Sequence, residues 1–458
     1  MANEIYSKSW WGLPQEDGWG SIYYDIASTS DLWPSLEDSL RFAPASSVSS
    51  GQINANKPLD QNFTFTRAST ASFLGSNNLL QTAASGMPRI DYVGNSSGHI
   101  LLEPARTNEF LQSNNLSNNS WWSERNGSES KNIVSPTGAS NDAWTLATDS
   151  GGGLKKVGMR MRNNGITNIT IPAGTSKTFS IFVKKSSYDF IYFNSTGFQD
   201  DMKGDSFFNI SNGTLGTVSS NNSNQKIEDY GNGWYRLSVT ITAPASPTDN
   251  IGQIAWFVSD ADTEVNVTAD GTSTSFWYGG QIEVGEYVTS YIETDTASVT
   301  RVAETAKDAG NSTLFNDSEG VLYAEIAALA DDLTFRSISI NADTTRNDQI
   351  MIRYRTNPNV INFFIRDGGS VTLNQNITLE DITEYHKVAL KYKSGDISVW
   401  VDGFEYITST ATGMPSGLSK IGFQLEDVNV DRFFGKIKEL GYYDTALTDA
   451  ELATLTQV

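Results

Sequence analysis

The chain has 458 residues, no cysteine, two histidines, and 53 acidic against 32 basic side chains, for a formal net charge of −21. Disulfides and thiolate metal centres are excluded, and a histidine-based metal site has too few ligands. A surface of that sign repels nucleic acid and anionic membranes. The opening stretch MANEIYSKSW lacks the apolar run of a secretory signal, and nothing approaches the roughly 18 apolar residues of a membrane span. Neither Sec export nor membrane insertion is expected. The many Ser, Thr, Asn and Gly residues and the 11% aromatics point to an all-β extracellular or virion protein. Release by cell lysis with a phage particle would place such a protein on a virion exterior without a signal.

Taken in chain order, residues 1–42 come first and are dense in aromatics: Trp10, Trp11, Trp19, Tyr23, Tyr24 and Trp33. A piece this short cannot bury them alone. Because Trp and Tyr dominate interface energetics, they are expected to anchor the chain to other virion proteins or to an oligomer interface. Packing onto the next domain is the plainer alternative. Residues 43–62, rich in Ser, Asn and Pro, read as a linker. Short apolar stretches then alternate with turn signals, and Phe63 and Phe65 fall on one strand face. Small hairpins packed on the following domain are predicted there.

From residue 110 onward strand-like runs recur. Phe179, Ile181 and Val183 alternate in KTFSIFVKK, and Asn212–Gly213 is a hairpin turn signal. The unit over 63–305 is predicted to be a β-sandwich carrying N-terminal hairpins. Residues 306–458 read as a second sandwich. Its DQIMIRYRT, VINFFIRDG and HKVALKYKSGDISVWVDG are period-two strands, with KSGD as a turn. Near the end, Thr448 and Glu451 spell the capping box of one short helix. The fold expected is two tandem β-sandwich, jelly-roll domains after a short aromatic segment.

Two resemblances rest on these stretches. FTRASTASF, MPRIDY, LLEPARTN, SNNSWW, FSIFVKK, GNGWYRLSVT, FWYGGQIEVGEYVTSYIET and SVTRVAE resemble, in order, a module of bacteriophage tail and virion surface proteins. That resemblance implies a sandwich of carbohydrate-binding type over about 63–304. HKVALKYKSGDISVWVDG and FFGKIKELGYYDTALTDAEL are similar to laminin-G or concanavalin-A-like sandwiches, although Tyr385 or His386 stands where those usually have Trp. Such sandwiches bind sugars, proteins or nothing.

No stretch marks out catalytic machinery. With 53 acids some carboxylate pair will have glycosidase spacing by chance, and neither His99 nor His386 comes with a nucleophile elbow. His386 reads as edge packing. Asp260, Asp262 and Glu264 start like a calcium loop, but Val265 stands where Gly is needed. A solvated acidic loop is the reading adopted, with calcium the one structural ion kept open and no other cofactor expected. Sugar rings stack on aromatic faces, which makes Trp122, Trp256 and Tyr278 the candidate glycan contacts, with Asp260 and Asn266 as hydroxyl partners. Trp277 and Tyr278 should face opposite ways, so at least one is core. Trp234 and Trp400 read as core.

Glu103 and Arg106 in LLEPARTN have no catalytic partner and are read as a structural clamp at a domain junction, with Arg106 tying the crossing backbone and Glu103 as its companion. The expected function is that of a non-enzymatic virion protein: a tail fibre, receptor-binding protein or capsid-attached fibre. It would bind a host surface glycan or receptor and assemble as a homo-oligomer, a trimer by analogy with fibres. A decoration protein without glycan binding, and a polysaccharide depolymerase, are the alternatives.

Overall fold

The computed structural model describes residues 62–458 apart from 343–345 and 426–429, preceded by the backbone of three short strands, Leu40–Phe42, Val48–Ser49 and Gln52–Ile53. The six aromatics from Trp10 to Trp33 lie outside the described residues. Among the described residues the regular structure is nearly all strand, arranged as two antiparallel sandwiches with one short α-helix.

The first sandwich pairs two six-membered strand runs. One sheet runs Trp122–Arg125, Gly158–Met161, Ile251–Ser259, Phe190–Thr196, Gly204–Asn209 and Thr214–Leu215 in spatial order, with Ile169–Thr170 alongside Ile251–Ser259. The other runs Gly127–Ile133, Ala143–Thr148, Thr274–Val284, Ser176–Lys184, Trp234–Thr242 and Ser223–Asp229. Alternation puts Phe179, Ile181 and Val183 into the core between the sheets, where they meet Phe193, Trp256 and Trp277. The opposite face of the second sheet is buried too. Phe182, Trp234 and Tyr278 pack there against Leu74 and Leu80 from the hairpin strands Ala71–Leu74 and Leu80–Ala83.

In the second sandwich, Glu319–Ala328 lies between His386–Lys393 and Gly435–Tyr443. Ile397–Val401 and Phe404–Ser409 extend the sheet on one side. The facing sheet runs Ser370–Thr378, Val360–Asp367, Gln349–Tyr354, Arg336–Asn341 and Lys420–Gly422. Val388, Leu390 and Tyr392 point into the core and Ala389 points away, as alternation requires. The KSGD turn closes with Gly395 at φ +77, a left-handed position that favours glycine. Thr448 and Glu451 form the expected reciprocal cap of the Asp449–Leu455 helix. Its Leu452 and Leu455 cover Tyr323 and Trp400 on the outer face of the sheet. His386 starts an interior strand rather than an edge, and its Nδ1 lies 2.6 Å from an Asp402 oxygen.

The N-terminal pieces depart from the expected layout. His99–Leu102 pairs with Gly435–Tyr443, and Ile90–Asp91 follows it, so both extend the sheet of the second sandwich. Leu40–Phe42 pairs with the same Gly435–Tyr443 strand. Phe63 and Phe65 share a buried face as predicted, but they enter the core of the second sandwich, with the Phe63 ring 4.8 Å from Phe423. Part of the stretch read as a linker is a ladder: Val48–Ser49, Gln52–Ile53, Phe63–Thr66 and Thr305–Lys307 form one sheet. The hairpins therefore pack on both sandwiches. Two apolar faces and an open strand edge were available, and one short segment covers all three.

Candidate functional site

The LLEPARTN stretch leads into a buried charge network. Pro104 interrupts pairing between His99–Leu102 and Arg106–Asn108, which sends the chain from one sandwich to the other. At that crossing Glu103 is 2% exposed. Its Oε2 lies 2.8 Å from Arg89 and 3.0 Å from Arg301, and the Ser290 amide and hydroxyl donate to it at 2.8 and 2.6 Å. Burial pushes its carboxyl up, but Arg301, Arg89 and the Ser290 hydrogen bonds outweigh burial and hold it down to about 2. It is thus an ionised acceptor, the opposite of a general acid. Glu304 takes Arg67 at 2.7 Å and Arg89 at 2.5 Å.

The clamp lies at the predicted place but uses other arginines. Arg106 does not pair with Glu103. Its guanidinium lies 5.2 Å from the Tyr287 ring centre and 3.7 Å from Glu283. Arg67, Arg89 and Arg301 do the tying instead. Sequence proximity suggested Arg106, whereas strand geometry aims neighbouring side chains apart.

The proposed aromatic sugar platforms are corrected. Trp122 and Trp256 are fully buried and Tyr278 is 2% exposed, so no sugar ring can reach their faces. Trp122 packs edge-on against Phe110, its ring nitrogen donating to the Gln112 carbonyl. Trp277 and Tyr278 do face opposite ways, but the hairpins cover the second face, so both are core. Trp234 and Trp400 are buried as read. Asp260 and Asn266 are exposed on a loop beside those cores, with no exposed ring among the predicted ones to complete a site. In the same loop Asp262 is committed to the Thr217 amide and hydroxyl. Among the described residues no group of three or more carboxylates or histidines is placed to hold a metal ion.

A different face has the chemistry the tryptophans lack. On the outer side of the five-stranded sheet, alternation lines up Gln349, Met351 and Arg353 on one strand with Asn362, Phe364 and Arg366 on the next. Asn374 and Asn376 follow on the exposed edge strand. Arg353 lies over Phe335 at 5.1 Å and Phe364 at 5.6 Å, Arg366 over Phe364 at 5.1 Å, and Arg355 over Phe335 at 5.4 Å. The Arg353 Nε donates to Asn362 at 3.0 Å, and the Asn362 amide donates to Asn374 and Asn376. The guanidiniums are half-buried. Among the described residues none of the three has a carboxylate at ion-pair distance, whereas neighbouring Arg336 has Asp332 at 2.6 Å. Burial lowers the pKa of Arg353, Arg355 lowers it further, and Asp431 partly opposes this. Among the described residues the buried Gln349 Oε1, Asn341 Oδ1 and Gln424 Oε1 have no hydrogen-bond partner.

The sequence carried a signal for this face. Arg353 and Arg355 sit two apart in IMIRYRT, hence on one side of a strand. A search confined to Trp and Tyr passes over it. A concavity of about 390 Å³ lies on the hairpins between the half-buried rings of Phe73 and Tyr92, with Gln81 in its wall.

The fold is that of a lectin-like β-sandwich. Residues 322–453 match the family Laminin_G_3, described as the concanavalin A-like lectin/glucanases superfamily; the match spans less than half of the chain. No curated protein matches. Among solved structures the chain is similar to the CBM40 of the Ruminococcus gnavus IT-sialidase bound to α2,3-sialyllactose. That match has 15% identity and a TM-score of 0.28, covering 32% of this chain and 86% of that one. It is also similar to domain 4 of AbnA, a GH43 extracellular arabinanase from Geobacillus stearothermophilus in complex with arabinotriose (12% identity, TM-score 0.28, 37% and 82% covered). A third is the native heptameric SAP-like pentraxin from Limulus polyphemus (13%, 0.24, 30% and 70%). At these scores the likeness carries nothing about ligand or assembly.

Proposed function

We propose that this chain is a non-enzymatic surface protein of a bacteriophage virion that binds host surface glycans through its C-terminal sandwich. The observation that carries the glycan reading is the Arg353–Phe364–Arg366 face with its asparagine border. It offers half-buried guanidinium donors and, on the exposed edge strand, the side chains of Asn374 and Asn376 to sugar oxygens, over a buried Phe364 ring and on a region matching a lectin-type family. The virion reading is supported by the ordered motifs from FTRASTASF to SVTRVAE. In a fibre or a capsid-attached spike, several copies would raise weak single-site binding by about 10²- to 10⁴-fold in avidity.

The test is binding of the purified chain to host cells and to an array of bacterial surface glycans, with Arg353→Gln/Arg366→Gln and Tyr92→Ala as separate variants. Loss in the double arginine variant alone supports the assignment. Loss in Tyr92→Ala alone would move the site to the hairpin concavity. No binding to any host glycan would favour the decoration protein, and release of reducing ends would favour a depolymerase. For the attachment role, removing residues 1–39, which spares the Leu40–Phe42 strand, is expected to leave a folded protein that no longer joins particles.

A further inference from the structure

Resting on that glycan reading, we infer that the sugar recognised by the C-terminal sandwich is anionic, carrying a carboxylate or a sulfate that docks between Arg353 and Arg366. Arginine is the side chain suited to planar oxyanions, because its fork of donors matches two oxygens at once and its face stacks on rings. Here two guanidiniums lie over the same Phe364 ring, at 5.6 and 5.1 Å, and Arg355, one residue past the end of the strand that carries Arg353, shares the Phe335 ring with it.

Three cations close enough to disfavour one another are a costly arrangement in the absence of an anion. The chain has no shortage of acids to neutralise them, with 53 carboxylates for 32 basic residues. Elsewhere it does so: Lys391 has Asp396 and Asp449, Arg336 has Asp332, and Lys438 has Glu325. Among the described residues these three arginines are left without such partners, and Asp431 only approaches.

Donors remain available as well. Among the described residues the hydrogen bonds of Arg353 and Arg366 use only the Arg353 Nε, to Asn362, and the Arg366 Nη1, to the Arg346 carbonyl. The Asn374 and Asn376 oxygens that accept from Asn362 stand at the exposed edge, where neutral sugar hydroxyls would lie. Net charge adds discrimination. A polyanionic chain is repelled by the rest of the surface and attracted only where the arginines cluster, which fixes both where and how it lands.

The experiment uses the full chain on an array holding uronate-, sialate- and sulfate-bearing glycans beside neutral ones, followed by titration of the best binder. The expected hits carry a negative charge, and reducing the carboxyl of a hit, or removing its sulfate, should abolish binding. Affinity should fall as NaCl rises from about 50 to about 500 mM. Arg353→Gln/Arg366→Gln should weaken it by about tenfold or more, and Arg353→Lys/Arg366→Lys by less, at an unchanged melting temperature. Neutral hits with salt-insensitive affinity would overturn the anion assignment while leaving glycan binding intact. Acidic hits that bind the glutamine variant as tightly as the parent would overturn the place. An array with no hits would overturn both this inference and the glycan reading beneath it.

Discussion

Arg67 and Glu304 lie 237 residues apart in the chain and meet at 2.7 Å in the interior. They mark the entry to and exit from the first sandwich unit. Glu304 also accepts from Arg89 and from the Glu103 amide, so one carboxylate joins the hairpins, the crossing strand and the link to the second sandwich. Isolated charges are expensive to bury, and such a network holds only because each member finds several partners. Its effect is on specificity: a different register between hairpins and sandwiches would strand buried charge.

Glu304→Gln should therefore destabilise the fold by about 3–5 kcal/mol, because Arg67 would be left buried without its counter-charge and Arg89 with Glu103 alone. Urea unfolding measures this, and a loss under about 1 kcal/mol would show that the network is solvated. Arg106→Ala should cost about 1 kcal/mol, since it removes a stacking contact with Tyr287 and only a distant ion pair.

Trp256→Ala should cost about 3–5 kcal/mol of stability through the cavity left among Phe193, Phe208 and the core methionines. Glycan affinity per folded molecule should not change. A loss of affinity at unchanged melting temperature would restore Trp256 as a ligand contact.

Acid response should centre on His99 and Asp91, whose Nε2 and Oδ2 are 3.5 Å apart inside the hairpin joint. Burial lowers the His99 pKa well below 6.5, with Lys436 and Lys438 adding to it. As pH falls below 6.5 the unfolded chain binds a proton that folded His99 refuses, and stability drops. Burial raises Asp91 from 3.8 to about 6, against hydrogen bonds from the Leu74 and Val93 amides. Between about 6 and 3.8 it is the folded state that binds the extra proton, so Asp91 offsets the loss. Asp91→Asn should leave the histidine unopposed, with stability falling by up to about 1.4 kcal/mol per pH unit in that window. Melting curves from about pH 7 to about pH 4 would show the steeper slope; parallel curves for parent and variant would refute it.

Cutting the chain at residue 306 should not give a stable C-terminal domain. The fragment loses Phe63, Phe65, Ile100 and Leu102 from its core and uncovers the Gly435–Tyr443 edge. A fragment from residue 62 should be markedly more soluble and melt higher than one from residue 306. Equal melting temperatures would mean that the borrowed strand is dispensable.

Local pattern alone determined the strands, the KSGD and Asn212–Gly213 turns, the capping box on Thr448 and the all-β class. Each depends on residues within a few positions of one another, through period-two alternation or turn and cap chemistry. The junction at LLEPARTN was legible too, because a proline between two strand-like runs marks a crossing wherever it goes. Tertiary structure alone decided which faces see water. Alternation places Tyr278 and Trp277 on opposite sides but cannot say that hairpins from residues 71–83 lie over one of them. Likewise, nothing near Glu103 in sequence names Arg89 and Arg301 as its partners, or leaves Arg353 and Arg366 without carboxylates among the described residues. Those outcomes depend on contacts between residues far apart in the chain, such as Glu103 with Ser290 187 positions on, and only the closed fold brings such residues together.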